Sequence, residues 1–350
     1  MTQAAPITLE IPQTLGGMRL DQALQRLMPE QSRSRLQAWI KEGRVTVDDR
    51  ETTAKFKVWG GERVRIVPQE SPQVSAFKAQ EIALDIVHED DHLLVINKPA
   101  GMVVHPAAGN WDGTMLNALL FHYPQLGELP RAGIVHRLDK DTTGLLVVAR
   151  TVAAQNSLVR QLQERTVKRE YRAIVWGNIW RNGTVDQPIG RHPHSRTRMA
   201  VTKMGKPAVT HYEVLERFAV HTYVRCMLET GRTHQIRVHM QHLKAPLVGD
   251  PVYGLRGIVP HQAMTPTLIE ALAGFNRQAL HATRLGLIHP ESGEPMQWQV
   301  ELPADMKALL EAMRAGEIPE DEADYGFDYV DDELPEDGDY EEIEEDDDVE

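Results

Sequence analysis

The feature that most constrains the fold is a succession of short β-rich segments between about residue 81 and residue 300. The segments are separated by turns and comprise LDIVHED, HLLVINKPAG, GLLVVAR, REYRAIVWGNI, THYEVLERF, HTYVRCMLETG, HQIRVHM and ATRLGLIHP. Helical patterns are fewer and fall at 114–121, 152–165, 267–273 and 306–315. Because strands that follow one another closely in sequence tend to pair, this mixture predicts an α+β domain with a mixed, largely antiparallel β-sheet.

A smaller unit over residues 18–67 precedes this domain. Leucines recur at helical spacing in RLDQALQRL, and a second helical pattern follows Ser32 or Ser34, either of which can cap it. The period then changes to two at Val45 and Val47, which predicts a short strand pairing. The unit is therefore expected to combine two helices with a small sheet.

Four basic residues decorate the second helix and its exit: Arg33, Arg35, Lys41 and Arg44. Taken alone, they are equally consistent with a solvated helical face. The order RLDQAL followed by SRSRLQAWIKEGRVTVDD resembles the small αL RNA-binding domain first described in a ribosomal protein. That resemblance implies that these basic residues contact RNA.

Composition divides the rest of the chain. The segment PQESPQVSAFKAQ carries two prolines and small polar residues, which is typical of a linker. The expected organisation is an N-terminal extension at 1–17, the αL-type domain at 18–67, a linker at 68–80, a catalytic domain at 81–315 and an acidic tail at 316–350.

The formal net charge of −13 is concentrated at one end of the chain. Residues 317–350 contain 20 of the 51 Asp and Glu residues and no Lys or Arg. Residues 1–316 therefore carry 38 basic against 31 acidic residues, a formal charge of +7, which is compatible with binding phosphate groups. A like-charge run with so few apolar residues cannot offset its ordering entropy, so we expect the tail to be disordered.

Several features favour a cytoplasmic protein that does not enter a membrane. No uninterrupted apolar run reaches the roughly 18 residues that a membrane helix needs. The first residues, MTQAAPITLE, lack the basic start and apolar stretch of a secretory signal. Cys226 is the only cysteine, so neither a disulfide nor a cysteine-based zinc site is expected.

The densest candidate for chemistry is HRLDKDTTGLLVVAR, from His136 to Arg150, which places Asp139 between Arg137 and Lys140. A protein-kinase loop does not fit, because Leu138 separates the His-Arg pair from the Asp and no Asn follows. The sequence also lacks HExxH, GxSxG, a Walker lysine and GxGxxG. A lone carboxylate with organised cations remains, unless Asp139 only forms a loop salt bridge.

A second candidate for chemistry is the histidine pair His192 and His194, but nearby positive charges argue against a metal site there. His192 and His194 flank a proline and are followed by Arg196 and Arg198, whose charges would repel a metal ion. No metal site is therefore predicted.

The segment GIVHRLDKDTTGLLVVAR resembles the signature of the RluA-type pseudouridine synthases. Five further segments agree with that family: INKPAGMVVHP, KREYRAIVWG, TGRTHQIRVHM, VGDPVYG and HATRLGLIHPESGE. The resemblance covers residues 18–315. It implies a pseudouridine synthase catalytic domain that isomerises uridine in structured RNA without a cofactor, with Asp139 as the catalytic carboxylate.

The same resemblance assigns expected roles to further residues. Arg237 is the partner that keeps Asp139 charged, Tyr171 stacks on the target uracil, and Arg137 enters the space that a flipped base leaves. Without the resemblance, Tyr171 would more often be a core residue and Arg237 an exposed sheet arginine. Five basic residues predict a hairpin that grips RNA, with a solvated loop as the alternative: Arg191, Arg196, Arg198, Lys203 and Lys206.

The expected partner is structured RNA. The αL domain favours large-subunit ribosomal RNA or its precursor particles, and the protein is expected to be a monomer. Transfer RNA is the alternative substrate, and an RNA-binding ribosome assembly factor without catalysis is the alternative function. The residues do not choose between nucleophilic addition by Asp139 and proton abstraction from the ribose.

Overall fold

The computed structural model describes residues 6–29, 31–68, 77–107, 109–195, 198–255, 257–258 and 261–316, with Ser34 lacking a described side chain. Most of the predicted linker and the whole of the acidic tail beyond residue 316 lie outside these ranges, as does Arg196. In the described part, no helix is long and apolar enough to cross a membrane.

The N-terminal unit packs two helices against a four-stranded antiparallel sheet. In spatial order, the strands are β1 (Ile7–Glu10), β4 (Arg63–Ile66), β2 (Val45–Val47) and β3 (Arg50–Glu51). The helices are α1 (Leu20–Leu27) and α2 (Arg33–Lys41), and the side chain of Ser32 caps α2 by accepting a hydrogen bond from the backbone N–H of Arg35.

Residues before position 18 belong to the core of this unit. β1 pairs along its length with β4, and Ile11 and Leu15 are buried among the residues of both helices. The alternation in β1 is only four residues long, so the sequence pattern alone did not separate it from an extension.

The catalytic domain contains a nine-stranded sheet. Eight strands follow one another in the spatial order β5 (Ile86–Glu89), β6 (Leu93–Lys98), β7 (Thr143–Ala149), β14 (Leu280–Ile288), β8 (Lys168–Trp176), β13 (His221–Leu228), β12 (Val209–Arg217) and β9 (Gly183–Asp186). β15 (Pro295–Gln299) also pairs with β14. Among the described strands of this sheet, β7 and β14 are the one parallel pair, which confirms a mixed, largely antiparallel sheet.

Helices cover both faces of this sheet. They are α3 (Met115–His122), α4 (Val152–Gln163), α5 (Gln235–His242), α6 (Pro266–Gly274) and α7 (Ala304–Ala315). On β6, Leu94 and Ile96 pack with α3, whereas Leu93 and Val95 pack with α4. Each such buried side chain contributes about 1.5–3 kcal/mol through loss of apolar surface to water.

One predicted strand is a helix. The segment HQIRVHM alternates apolar residues, which predicted a strand, but Gln235–His242 forms α5. Ile236 and Met240 lie four residues apart and pack into the same core cluster, whereas Val238 packs into a smaller one. A helix that is buried on more than one side can have apolar residues two apart as well as four apart, so the short alternation did not distinguish a helix from a strand.

The β7–β14 contact explains the glycine in the Asp139 motif. Gly144 has a φ of +107° and pairs with Ala282, and a Cβ at this position would lie 2.2 Å from the carbonyl oxygen of Ala282. A larger residue would therefore displace the start of β7. Because Asp139 precedes β7 by only a few residues, this close approach also sets the position of the Asp139 loop.

Candidate active site

Asp139 lies in the turn that leads into β7 and lines a cleft of about 980 Å³. The backbone N–H of Thr142 donates to the carbonyl oxygen of Asp139 at 3.1 Å and closes the turn. The preceding residue, Leu138, is buried and anchors the turn in the core. The Asp139 side chain is 17% exposed, so the carboxylate is accessible from the cleft but largely shielded from bulk water.

The structure brings Arg237 into contact with Asp139. Arg237 extends from α5 and donates from Nη1 to Asp139 Oδ2 at 3.1 Å. Its Nε and Nη2 donate to the two oxygens of Asp250 at 2.7 and 2.8 Å. This bidentate pair holds the guanidinium plane and presents one remaining edge to Asp139.

The pair with Asp250 is buried and fully charged. Burial alone would raise the pKa of Asp250, but hydrogen bonds from Arg237 and from the backbone N–H groups of Val252 and Tyr253 hold that pKa below its ordinary value. Burial alone would lower the pKa of Arg237, yet Asp250 and Asp139 raise it. Arg237 therefore offers a permanent positive charge to Asp139.

Tyr171 lies on β8, lines the same cleft and is 6% exposed. Burial raises the pKa of its phenol, an effect that the charge of Arg169 opposes and that of Asp139 reinforces. The hydroxyl therefore stays protonated at neutral pH. The neutral phenol ring lines the same cleft as Asp139 and provides an aromatic face on which a base can stack.

Arg137 is exposed and lines the cleft, as does Arg131. Arg131 and Ala132 have left-handed backbone conformations, with φ of 55° and 50°. Burial lowers the pKa of His105 to about 4, and the charges of Arg131 and Arg137 act in the same direction. The exposed edge of the cleft therefore carries two positive charges, and His105 in its wall is neutral at neutral pH.

The predicted basic hairpin is present. β10 (Ile189–Arg191) pairs with β11 (Met199–Val201), and Arg191, Lys203 and Lys206 are exposed. Arg198 instead places its guanidinium 5.4 Å from the ring centroid of Tyr253. Three of the five predicted cations are therefore at the surface, and Arg198 lies against the ring of Tyr253.

The basic residues of α2 have different environments. Arg33 donates to Asp21, a fully buried carboxylate that also accepts from Arg19 and Gln37. Three further residues of the predicted set lie nearer the surface: Arg35 stacks over Trp39, Arg44 pairs with Glu42, and Lys41 is exposed. Arg33 therefore contributes to the fold of the N-terminal unit through Asp21.

Lys98 is a site residue that sequence reasoning missed. It is 1% exposed and donates from Nζ to the carbonyl oxygens of Pro99, Met102 and Lys140 at 2.8, 2.9 and 2.8 Å. Burial lowers its pKa to about 7, although Asp141 and Asp139 raise it. In the sequence, the signal that could have identified Lys98 is a lysine at the end of the apolar strand LLVINK. In the structure, Lys98 connects that strand to the Asp139 loop through its bond to Lys140.

His234 was also missed. It caps α5 in the left-handed conformation, with a φ of 56°, and its Nε2 lies 3.9 Å from Asp139 Oδ1. Its Nδ1 is 2.8 Å from the hydroxyl of Tyr253, which accepts from the backbone N–H of Met199. Burial lowers the pKa of His234 although Asp139 raises it, so the neutral ring is favoured beside the carboxylate. The strained backbone has no signature in the sequence.

Metal ligands do not cluster anywhere in the described ranges. No group of three or more His, Cys, Asp or Glu side chains there has an arrangement that could hold a metal ion. The site is therefore built from an aspartate, a fixed arginine, an aromatic ring and surrounding cations.

Comparisons with known proteins agree on both parts of the chain. The family model described as RNA pseudouridylate synthase matches residues 92–242, and the S4 domain model matches residues 18–64. Ribosomal large subunit pseudouridine synthase D of Nitrosomonas europaea is 56% identical over 308 residues, which cover 88% of each chain. The protein of the same name from Escherichia coli is 54% identical over 327 residues, covering 93% of this chain and all of that one.

A solved structure shares this fold. Human RNA Pseudouridylate Synthase Domain Containing 4 matches with a TM-score of 0.52 and 26% identity, and the match covers 66% of this chain and 93% of that chain.

Proposed function

The chain belongs to the RluA-type RNA pseudouridylate synthase family, and we propose that it isomerises specific uridines of large-subunit ribosomal RNA to pseudouridine with Asp139 as the catalytic carboxylate. The observation that carries the assignment of Asp139 is its contact with Arg237 at the cleft, where Asp250 holds the arginine in place. The ribosomal substrate is supported by the curated relatives, which are named for the large ribosomal subunit and resemble nearly the whole chain.

The reaction requires a charged carboxylate next to the ribose. The bond between uracil N1 and ribose C1′ breaks, the base turns, a bond forms from C5 to C1′, and the C5 proton is lost while N1 gains one. Arg237 takes Asp139 Oδ2, and Oδ1 has no hydrogen bond to any described residue. That oxygen is available either to add to the sugar or base or to take a ribose proton.

The target uridine has to leave its stack to reach Asp139, which costs a few kcal/mol. In this proposal Tyr171 stacks on the flipped base inside the cleft, and Arg137, which is exposed and lines the cleft, occupies the space that the base leaves. The exposed cations of the β10–β11 hairpin and of α2 supply phosphate contacts that offset the remaining cost. We further propose that the protein acts as a monomer on precursor particles in the cytoplasm, without a cofactor.

The test is Asp139→Asn, which retains the shape of the side chain but removes the base and nucleophile. We expect tritium release from RNA labelled at uridine C5 to fall at least about a thousandfold, with RNA affinity within about threefold of wild type. Asp91→Asn is the matched control, because Asp91 is exposed in the turn before β6 and does not line the cleft. Substantial turnover by Asp139→Asn would remove Asp139 from the chemistry.

The RNA substrate is tested separately. We expect pseudouridine maps of ribosomal and transfer RNA, from cells with and without the gene, to differ in the large-subunit ribosomal RNA. Differences confined to transfer RNA would support the other substrate class. No difference in either, with a particle assembly defect that Asp139→Asn protein corrects, would support an assembly factor.

A further inference from the structure

Arg169 is a buried cation of the cleft that contains Asp139. It is the second residue of β8, is 8% exposed and lines the cleft that contains Asp139. Its Nη2 donates to the carbonyl oxygen of Glu229 at 3.4 Å, and its buried Nε has no hydrogen-bond partner. Within the described ranges, no carboxylate lies at ion-pair distance from Arg169.

Other arginines of the cleft are paired, exposed or only partly buried. Arg237 pairs with two carboxylates, and Arg165 pairs with Glu229 at 2.9 Å. Arg131 and Arg137 are exposed to solvent, and the half-buried Arg232 donates from Nε to the carbonyl oxygen of Pro207 at 3.0 Å. A buried guanidinium without a carboxylate destabilises a folded protein, and this arrangement is expected of a group that interacts with electron-rich atoms, or with developing negative charge, of a bound substrate.

The backbone makes room for this side chain. A Cβ on Gly231 would lie 2.8 Å from Nη1 of Arg169, so a larger residue at position 231 would compete for the space of the guanidinium. Arg169 also shares a face of β8 with Tyr171, because residues two apart on a strand point the same way. The charge of Arg169 acts on Tyr171 and on His136, which also line the cleft.

We propose that Arg169 is a further catalytic residue, which binds a carbonyl oxygen of the flipped uracil and stabilises the negative charge that the ring carries after the N1–C1′ bond breaks. The proposal rests on the proposed function. The electron pair of the broken bond stays on uracil, and its negative charge is delocalised onto the two carbonyl oxygens of the base. It is consumed when the C5–C1′ bond forms, and loss of the C5 proton with protonation of N1 completes the isomerisation.

The depth of Arg169 favours the base over a phosphate. A flipped nucleotide inserts its base into the pocket while the phosphates remain near the surface. The exposed Arg131 and Arg137 are suited to phosphates, whereas Arg169 is nearly excluded from solvent and lies beside the ring proposed to stack on uracil. In such a site, a preorganised donor acts strongly on charge that develops during reaction.

The test compares Arg169→Met with Arg169→Lys in full-length protein. We expect Arg169→Met to lower the single-turnover rate at saturating RNA by about a hundredfold to a thousandfold, with RNA affinity within about threefold of wild type. Because Met removes a buried unpaired charge, its unfolding midpoint should equal or exceed that of wild type. Arg169→Lys should retain an intermediate rate.

Arg172→Met is the matched control, since Arg172 lies on the same strand but on the opposite face, pairs with Glu170 and does not line the cleft. Its saturating rate should equal that of wild type.

A wild-type rate for Arg169→Met would overturn the proposal. A packing role would be indicated instead if Arg169→Met had a lower unfolding midpoint than wild type and the same rate as Arg169→Lys, and this result would also overturn the proposal. Weaker binding with an unchanged saturating rate would indicate a phosphate contact instead. If wild-type protein itself releases no tritium, the proposed function fails and the role of Arg169 fails with it.

Discussion

At the scale of single residues, the site depends on charges whose partners lie far away in sequence. Arg237 is directed at Asp139 because two of its donors are already held by Asp250. Lys98 connects the end of β6 to the Asp139 loop through the carbonyl oxygen of Lys140. A carboxylate held in this way needs little rearrangement when the substrate arrives, which is the condition for efficient catalysis by preorganised charge.

Asp90 provides a pH test at the residue scale, away from the cleft. Burial alone would raise its pKa, but a hydrogen bond with His88 and bonds from the backbone N–H groups of His92 and Leu93 lower that pKa to about 2. An acid with a folded pKa below its unfolded value contributes stability above the unfolded pKa, and this contribution is lost as the pH falls through the folded pKa.

We therefore expect the stability advantage of wild type over Asp90→Asn to shrink by about 2 kcal/mol between pH 5 and pH 2. Urea unfolding of both proteins across this range measures the difference. A difference between the two proteins that is independent of pH would show that Asp90 titrates alike in the folded and unfolded states.

At the scale of elements, Tyr253 joins the β10–β11 hairpin to the catalytic centre. Its hydroxyl accepts from the backbone N–H of Met199 in β11 and contacts His234, which caps α5. Its ring lies near the guanidinium groups of Arg198 and Arg237, at 5.4 and 4.9 Å. The hairpin proposed to grip RNA is thus attached to the helix that holds the partner of Asp139.

Tyr253→Phe should loosen this attachment without removing the ring. The Met199 N–H would lose its partner, which costs about 1–3 kcal/mol locally, and His234 would lose its contact at Nδ1. We expect faster amide exchange in residues 199–201 and a saturating turnover rate about tenfold lower. Tyr223→Phe is the control, because Tyr223 lies on β13 and does not line the cleft. Unchanged exchange in β11 would contradict the coupling.

At the scale of the whole molecule, the positive body and the separate N-terminal unit suggest a division between RNA binding and chemistry. Asp139, Tyr171 and Arg237 all lie in the catalytic domain, whereas α2 carries basic residues of a unit that matches the S4 domain. Arg33 is unsuited to testing this division, because its pairing with the buried Asp21 stabilises the unit.

The double variant Lys41→Gln with Arg44→Gln tests the division with less risk to the fold, because both side chains lie at the surface. Each lost phosphate contact should reduce the slope of log affinity against log salt by about 0.7 to 0.9, so the pair should reduce it by about 1.4 to 1.8. The single-turnover rate at saturating RNA should not change. Binding titrations at several salt concentrations provide the measurement, and a lower saturating rate with unchanged binding would assign the unit a different role.

Much of the architecture could be predicted from residues that are close together in the chain. Periodicity predicted the two helices of the N-terminal unit, four helices of the catalytic domain and the mixed sheet, because each depends on residues close together in the chain. The motif around Asp139 and its resemblance to a family indicated the chemistry and the contact with Arg237. Local spacing could not distinguish the helix at Gln235–His242 from a strand, since three alternating apolar residues fit either one in a buried setting.

The partners of the buried charges, in contrast, became visible only in the folded protein. Arg237 is 98 residues from Asp139 in sequence, and its bidentate bond to Asp250 becomes visible only when α5 and the turn after it are packed together. Arg169 appeared in the sequence as one more basic residue of a strand. Folding buried it beside Tyr171, with no carboxylate of the described ranges at ion-pair distance. Burial depends on the surrounding chain, and no local pattern of residues specifies it.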